Sequence, residues 1–235
     1  MMRLLLYFLL TLSISFFPLS DTAKAENYSV LYSVEVQRAV DFYEKNHDTL
    51  KDIFPGLSEK MLKMIYSVVA PEVSQYDPFK DFIEVKALEM KYVRNANCDY
   101  SIGRFQMKPS FVESLEKEVF NSASLKKKFG KYLGYATGED PGTVRKERLK
   151  RMCESEWQMR YLAIFIEVAK RRTAKWGLKG YEEKLRCWAT LYNAGPYLSR
   201  QRVSNRQKVK QFPRGTKEFN YSAVAVELYK VLLEL

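Results

Sequence analysis

Histidine is almost missing from this chain. The single copy, His47, lies in a polar Lys-Asn-His-Asp stretch. That removes the base that a Ser-His-Asp site or a nucleophilic cysteine would use. Cysteine is also sparse, with Cys98, Cys153 and Cys187 only. Their spacing does not resemble a zinc site, and no metal or cofactor is expected. The count is odd, so an oxidising compartment would permit one disulfide and one free thiol without fixing the pair. Strand-like alternation is scarce, and internal repeats and low-complexity segments are lacking. A β architecture, a solenoid and a second domain are therefore not indicated.

What the chain does have begins at its first residues. Met1-Met2-Arg3 is a short basic start, Leu4 to Leu19 is almost wholly apolar, and Ala23-Lys24-Ala25 supplies small residues in an A-x-A pattern. This is the layout of a secretory signal peptide over 1–25, leaving one domain over 26–235 that is exported to the periplasm or beyond. The apolar run contains Pro18 and is short for a spanning helix. The formal net charge is +11. Such a balance favours a polyanionic partner. Outside the cytoplasm that means cell-wall polymers or anionic lipid heads, so peripheral membrane contact and cell-envelope machinery stand as partners. A nucleic-acid partner is not expected, since no recognised reader motif is present.

The fold class reads as mainly α. Tyr28 to Asn46 reads as a helix. Ser58 looks like an N-cap ahead of Met61, Leu62, Ile65, Val68 and Val69. Pro71 then breaks that run. Asp77-Pro78 restarts a helix whose Phe79, Phe82, Ile83, Ala87, Leu88, Met90 and Val93 form one wide apolar stripe. Phe111 to Phe120 reads as a further helix, and Thr137 to Gly142 as a loop. Thr143 to Trp176 reads as one long helix with a buried centre. Tyr181 to Ala194 is helical and stops at Gly195-Pro196. Val203 to Gly215 is a basic connector, and Phe219 to Leu235 a closing helix.

Three segments carry candidate chemistry. Glu72 stands where an apolar helix breaks, and partial desolvation there raises a carboxyl pKa toward that of a general acid. In Ser101-Ile-Gly-Arg-Phe-Gln106, Gly103 permits close backbone approach or positive φ. Gln106 can bridge backbone groups or a sugar amide. In Tyr192-Asn193-Ala-Gly-Pro196, the asparagine can bond an acetamido group and the tyrosine can pack on a sugar face. Read singly, each has a plainer meaning: a surface Glu, a buttressing loop, an ordinary helix stop.

Taken together and in this order, the three segments resemble the soluble-transglycosylase-type lytic transglycosylases and goose-type lysozymes. Glu72-Val73-Ser74-Gln75-Tyr76 is similar to the family's Glu-Ser-x-Phe, with Val73 where Ser is usual. Gly103-Arg104-Phe105-Gln106 is similar to its Gly-Leu-Met-Gln, and Tyr192 to Gly195 matches its Tyr-Asn-Ala-Gly in full. Glu218 and Tyr221 match its late Glu-Thr-x-x-Tyr. The resemblance spans Ser58 to Leu235 and implies a lysozyme-like helical domain that uses no cofactor. It further implies cleavage of the β-1,4 bond between N-acetylmuramic acid and N-acetylglucosamine in peptidoglycan glycan strands by a single Glu acid/base. Ser101, Gly103, Gln106, Tyr192, Asn193 and Tyr221 would then bind substrate. Asp99 is the natural second carboxylate if water is the nucleophile. Glu72 and Ser101 lie 29 positions apart, farther than is usual in the family. The helix between them therefore reads as an insertion, and Glu84 stays an alternative to Glu72. A non-catalytic peptidoglycan-binding protein of the same fold is the competing expectation.

Overall fold

The computed structural model describes residues 27–135 and 139–235. The expected signal peptide, 1–25, lies outside them, as do Thr137 and Gly138 of the expected loop. The described residues form thirteen helices and one two-stranded hairpin, so the chain is mainly α.

The N-terminal third holds α1 (Tyr28–Leu31), α2 (Ser33–Lys45), α3 (His47–Ile53), α4 (Glu59–Ser67), α5 (Ala70–Gln75) and α6 (Pro78–Asn95). The single helix expected over Tyr28–Asn46 is broken at Tyr32, whose φ of −130° and ψ of 57° lie outside the helical region. Tyr32 leaves the helix to put its ring against Tyr28 and Phe219 and its hydroxyl on the Arg214 carbonyl at 3.1 Å. Ser58 caps α4, its hydroxyl accepting from the Met61 N–H. The chain turns at Val68-Val69 and resumes as α5. Pro71 sits in the first turn of α5, where its missing N–H leaves no bond unmade.

The rest comprises α7 (Pro109–Asn121), α8 (Ala123–Leu133), α9 (Pro141–Cys153), α10 (Ser155–Thr173), α11 (Gly180–Ala194), α12 (Arg200–Arg206), β1 (Phe212–Arg214), β2 (Lys217–Phe219) and α13 (Tyr221–Leu233). The middle of α10 is buried nearly all round and packs against α3, α7, α9 and α11. On the other side, α13 packs on α4, α5 and α11.

Three further expectations are corrected. The long helix over Thr143–Trp176 is two helices, α9 and α10, separated by extended Glu154. The break lets α9 fold against both α6 and α10. It also places Arg148 in the interior, bonded to Glu113 at 2.9 Å and Glu116 at 2.8 Å. The connector over Val203–Gly215 contains the end of α12 and β1, the first strand of the antiparallel hairpin in which Phe212 faces Phe219. Phe219 thus belongs to β2, and α13 begins after the N-cap Asn220.

The third correction concerns α6. Most of its apolar stripe does not face the core. Leu88 and Tyr92 are buried, while Phe79, Phe82, Ile83 and Met90 are exposed. Polar ties choose the inner face instead. Asp81 accepts from the Gly103 N–H and the Tyr76 hydroxyl, and the Tyr92 hydroxyl reaches Glu113. The three cysteines are all free thiols, with Cys187 buried and Cys153 at the end of α9.

Candidate functional site

Glu72 stands in the first turn of α5, a helix held from both ends. At its start, Val69, Ala70 and Val73 are buried in the core. At its end, the Arg38 guanidinium donates to the Ser74 carbonyl at 2.6 Å. This fixes the backbone under Glu72 and leaves the side chain to line a cleft of about 540 Å³. The cleft is walled by Ser101 and Gln106 on the loop, by Ser110, Phe111 and Ser114 of α7, and by Tyr192 to Tyr197 at the end of α11.

The Glu72 carboxyl is pushed up to about 7, chiefly by burial. The Lys80 ammonium and hydrogen bonds from the Asn193 and Tyr221 side chains act in the opposite direction. A group so placed is half protonated near neutral pH, and such a group can give a proton to a leaving oxygen and later take one back. The Tyr221 hydroxyl also lies 3.1 Å from the Val68 carbonyl. Its single proton is thus within reach of both that carbonyl and the Glu72 carboxyl.

The loop over 101–107 is a tight reversal. Ile102 and Met107 exchange backbone bonds at 2.9 and 3.0 Å. Gly103, with φ of 73°, is pressed so closely to its surroundings that a Cβ there would fall 1.5 Å from Gln158 Nε2. Gln106 is itself left-handed, with φ of 49°, and its side chain donates back to the Gly103 carbonyl at 2.9 Å. Gln158, buried in α10, organises the whole turn: its Oε1 accepts from Phe105 N–H at 2.9 Å and its Nε2 donates to the Ile102 and Met152 carbonyls.

Two ties join this loop to α5. Asp81 Oδ1 accepts from the Gly103 N–H at 2.6 Å while Oδ2 accepts from the Tyr76 hydroxyl at 3.0 Å. The Arg104 guanidinium stacks over the Tyr76 ring at 4.1 Å. The helix that separates Glu72 from the loop in sequence therefore also holds the two together in space.

The structure brings Glu72, Ser101, Gln106, Tyr192 and Asn193 to one cleft. Tyr221 is buried beside Glu72, and Gly103 lies under the wall. Two candidates are placed otherwise, and Tyr192 lines the cleft with its hydroxyl engaged elsewhere. Glu84 is outside the cleft lining and lies 3.7 Å from Lys80 in an ion pair on α6. Asp99 holds the start of α7, accepting from the Ser110 N–H at 2.8 Å and the Ser110 hydroxyl at 2.7 Å. Tyr192 donates to the Phe105 carbonyl at 2.6 Å, and its ring meets Phe111 and Phe165 edge-on. It is a strut behind the loop, leaving its neighbour Asn193 to face the cleft.

Compared with known protein families, with curated proteins and with solved structures, the chain finds no match.

Sequence reasoning missed Gln158, Asp81 and Tyr197. Gln158 carried a usable signal, as an uncharged polar residue within an apolar helix centre. Asp81 carried none, since an Asp in a first helical turn is common. Tyr197 is an exposed aromatic at the cleft edge, its ring under the Arg172 guanidinium at 5.0 Å. A flat ring so placed offers a platform for the apolar face of a sugar.

Proposed function

We propose that this protein is a peptidoglycan-cleaving enzyme of the lytic transglycosylase type, with the lysozyme-like helical fold of that family. The observation that carries the reading is the placement of Glu72. It is the sole carboxylate among the described residues lining the cleft, and burial holds its pKa near neutrality. Beside Met107, Lys108 and Pro196, the cleft presents hydroxyls, amides and aromatic rings, which suit an N-acetylated glycan.

In this reading Glu72 gives its proton to the glycosidic oxygen between N-acetylmuramic acid and N-acetylglucosamine. Asn193 orients the carboxyl or a substrate acetamido group, and Tyr221 supports the charge left behind. The Glu72 carboxylate then takes the proton of the muramoyl 6-hydroxyl as that oxygen closes on the anomeric carbon, giving a 1,6-anhydro end. Glycosidases that employ water or a covalent intermediate generally need a second carboxylate. Asp99, the candidate for that part, is bonded to Ser110 at the head of α7. This favours the intramolecular route over hydrolysis. The same reading places the working chain outside the cytoplasm after loss of residues 1–25.

The test is digestion of purified peptidoglycan, with the new sugar ends identified by mass spectrometry. Anhydromuramoyl ends, abolished by Glu72→Gln, are expected. Reducing muramoyl ends would replace transglycosylation by hydrolysis. No release by the wild type, with binding to peptidoglycan retained, would leave a wall-binding protein instead.

A further inference from the structure

The outer face of α6 is unusual for a helix packed on a protein. Phe79 is 73% exposed, Phe82 59%, Ile83 52% and Met90 58%. At 3.6 residues per turn these side chains share one side of the helix, opposite the Asp81, Leu88 and Tyr92 side that faces the body. Lys86 and Arg94 fall on the same outer side. The acid at its border, Glu89, is bound to Lys86 at 2.7 Å. From Phe79 to Met90 the ridge is roughly 16 Å long.

Beside the ridge, between α6 and α9, runs an apolar trough of about 620 Å³. Val85, Val93 and Leu149 line it, and Lys146, Lys150, Glu89 and Glu147 also border it. Glu147, also on α9, is bound to Arg151 at 3.2 Å.

We propose that this face of α6 docks on an anionic lipid surface. A convex ridge of aromatic and aliphatic side chains set among cations matches the acyl boundary below a layer of phosphates. The long lysine stems can lie along the apolar surface while their ammonium groups reach the phosphates. The adjacent trough is apolar inside, and Lys146 and Lys150 stand at it while its two acids are already paired to Lys86 and Arg151; it has the shape and charge to take one acyl chain with its headgroup. A second copy of this chain fits poorly, because pairing two such faces brings like charges together. Since Asp81 ties α6 to Gly103, docking would hold the Glu72 cleft at a fixed height above the lipid. The inference concerns a different surface from the cleft and stands whether or not the chain cleaves glycan.

The experiment uses the full chain throughout, so that residues 1–25 contribute equally to every sample. Phe82→Trp is mixed with vesicles whose acyl chains carry bromine, which quenches nearby indole. On vesicles containing phosphatidylglycerol, Phe82→Trp should show at least twofold more quenching than the native tryptophans of the wild type. On pure phosphatidylcholine the excess should vanish. The pair Phe79→Ser with Phe82→Ser should weaken binding to the anionic vesicles by roughly tenfold or more. Lys146→Gln should weaken it by roughly fivefold. Equal quenching of Phe82→Trp and wild type, or unchanged affinity in the double variant, would overturn the proposal. So would self-association in lipid-free solution that the double variant abolishes, since the face would then serve a second copy.

Discussion

Asp81 accepts the backbone N–H of Gly103 at 2.6 Å, across the boundary between α6 and the loop that walls the cleft. Its other oxygen holds Tyr76 at the end of α5. One carboxylate thus sets the distance between the helix of Glu72 and the loop of Gln106. Asp81→Ala leaves the Gly103 N–H without its acceptor, in a place where the glycine is buried. We expect a loss of about 1–3 kcal/mol, read by urea denaturation, with earlier proteolysis at the 101–107 loop. Asp81→Asn keeps an acceptor oxygen and should recover part of that loss. Equal behaviour of the two variants would show that the bond to Gly103 is unimportant.

Glu72 gives a pH signature. Burial raises its carboxyl pKa in the folded chain to about 7, whereas an unfolded glutamate titrates near ~4.3. The folded state therefore keeps a proton that the unfolded chain has released. The stability this contributes is complete below about pH 4 and is lost as pH rises through about 7. Glu72→Gln removes the titration, so its Tm relative to wild type should rise between pH 5 and pH 8. Differential scanning calorimetry at both values decides this. If the chain cleaves glycan as proposed, kcat/KM should also fall on the alkaline side of about pH 7, where the acid is unprotonated.

Adjacent residues on α11 should separate structure from chemistry. Tyr192→Phe removes the bond to the Phe105 carbonyl and should cost about 1–2 kcal/mol of stability. Asn193→Ala, on the open side of the same turn, should leave Tm within about 1 °C, since surface changes are usually within ±0.5 kcal/mol. It should instead lower glycan turnover or binding by roughly tenfold, as loss of one oriented hydrogen bond does. Thermal melts and product release measured side by side test the pair.

Arg148 is the centre of an interior polar cluster. It bonds Glu113, Glu116 and the Tyr92 hydroxyl, while Tyr135 and Tyr161 donate to Glu116. Arg148→Ala strands the buried Glu116 carboxylate and should cost about 3–5 kcal/mol. Arg148→Lys keeps the charge but not the forked geometry, and should fall between. Urea midpoints of the three proteins give the order.

Much of the fold was legible because its signals are local. Ser58 and Asp77 cap their helices through bonds to the next three residues, and Pro71 and Pro78 mark first turns, so sequence neighbours decide these boundaries. The orientation of α6 was not legible. Most of its apolar stripe points outward, and the residues that fix its inner face, Asp81 and Tyr92, find partners 22 and 21 positions away. The break at Glu154 has the same origin, since Arg148 reads as a solvated charge until α7 is folded beside it. In the site, the segments holding Glu72, Gln106 and Asn193 were each visible from residue type and punctuation. That Tyr192 is a strut and Asp99 a helix cap follows only from the fold, because either side chain could have served a ligand equally well on its own.

The Tyr221 hydroxyl meets the Val68 carbonyl across 153 positions of chain. It belongs to α13, the last helix, yet it completes the surroundings of a residue on α5. The surroundings of Glu72 are therefore drawn from distant parts of the described chain: α5 supplies the carboxyl, and α13 supplies the Tyr221 side chain whose hydrogen bond opposes the rise that burial brings. A truncation that removes α13 would take away that tie together with the packing of α13 on α4, α5 and α11.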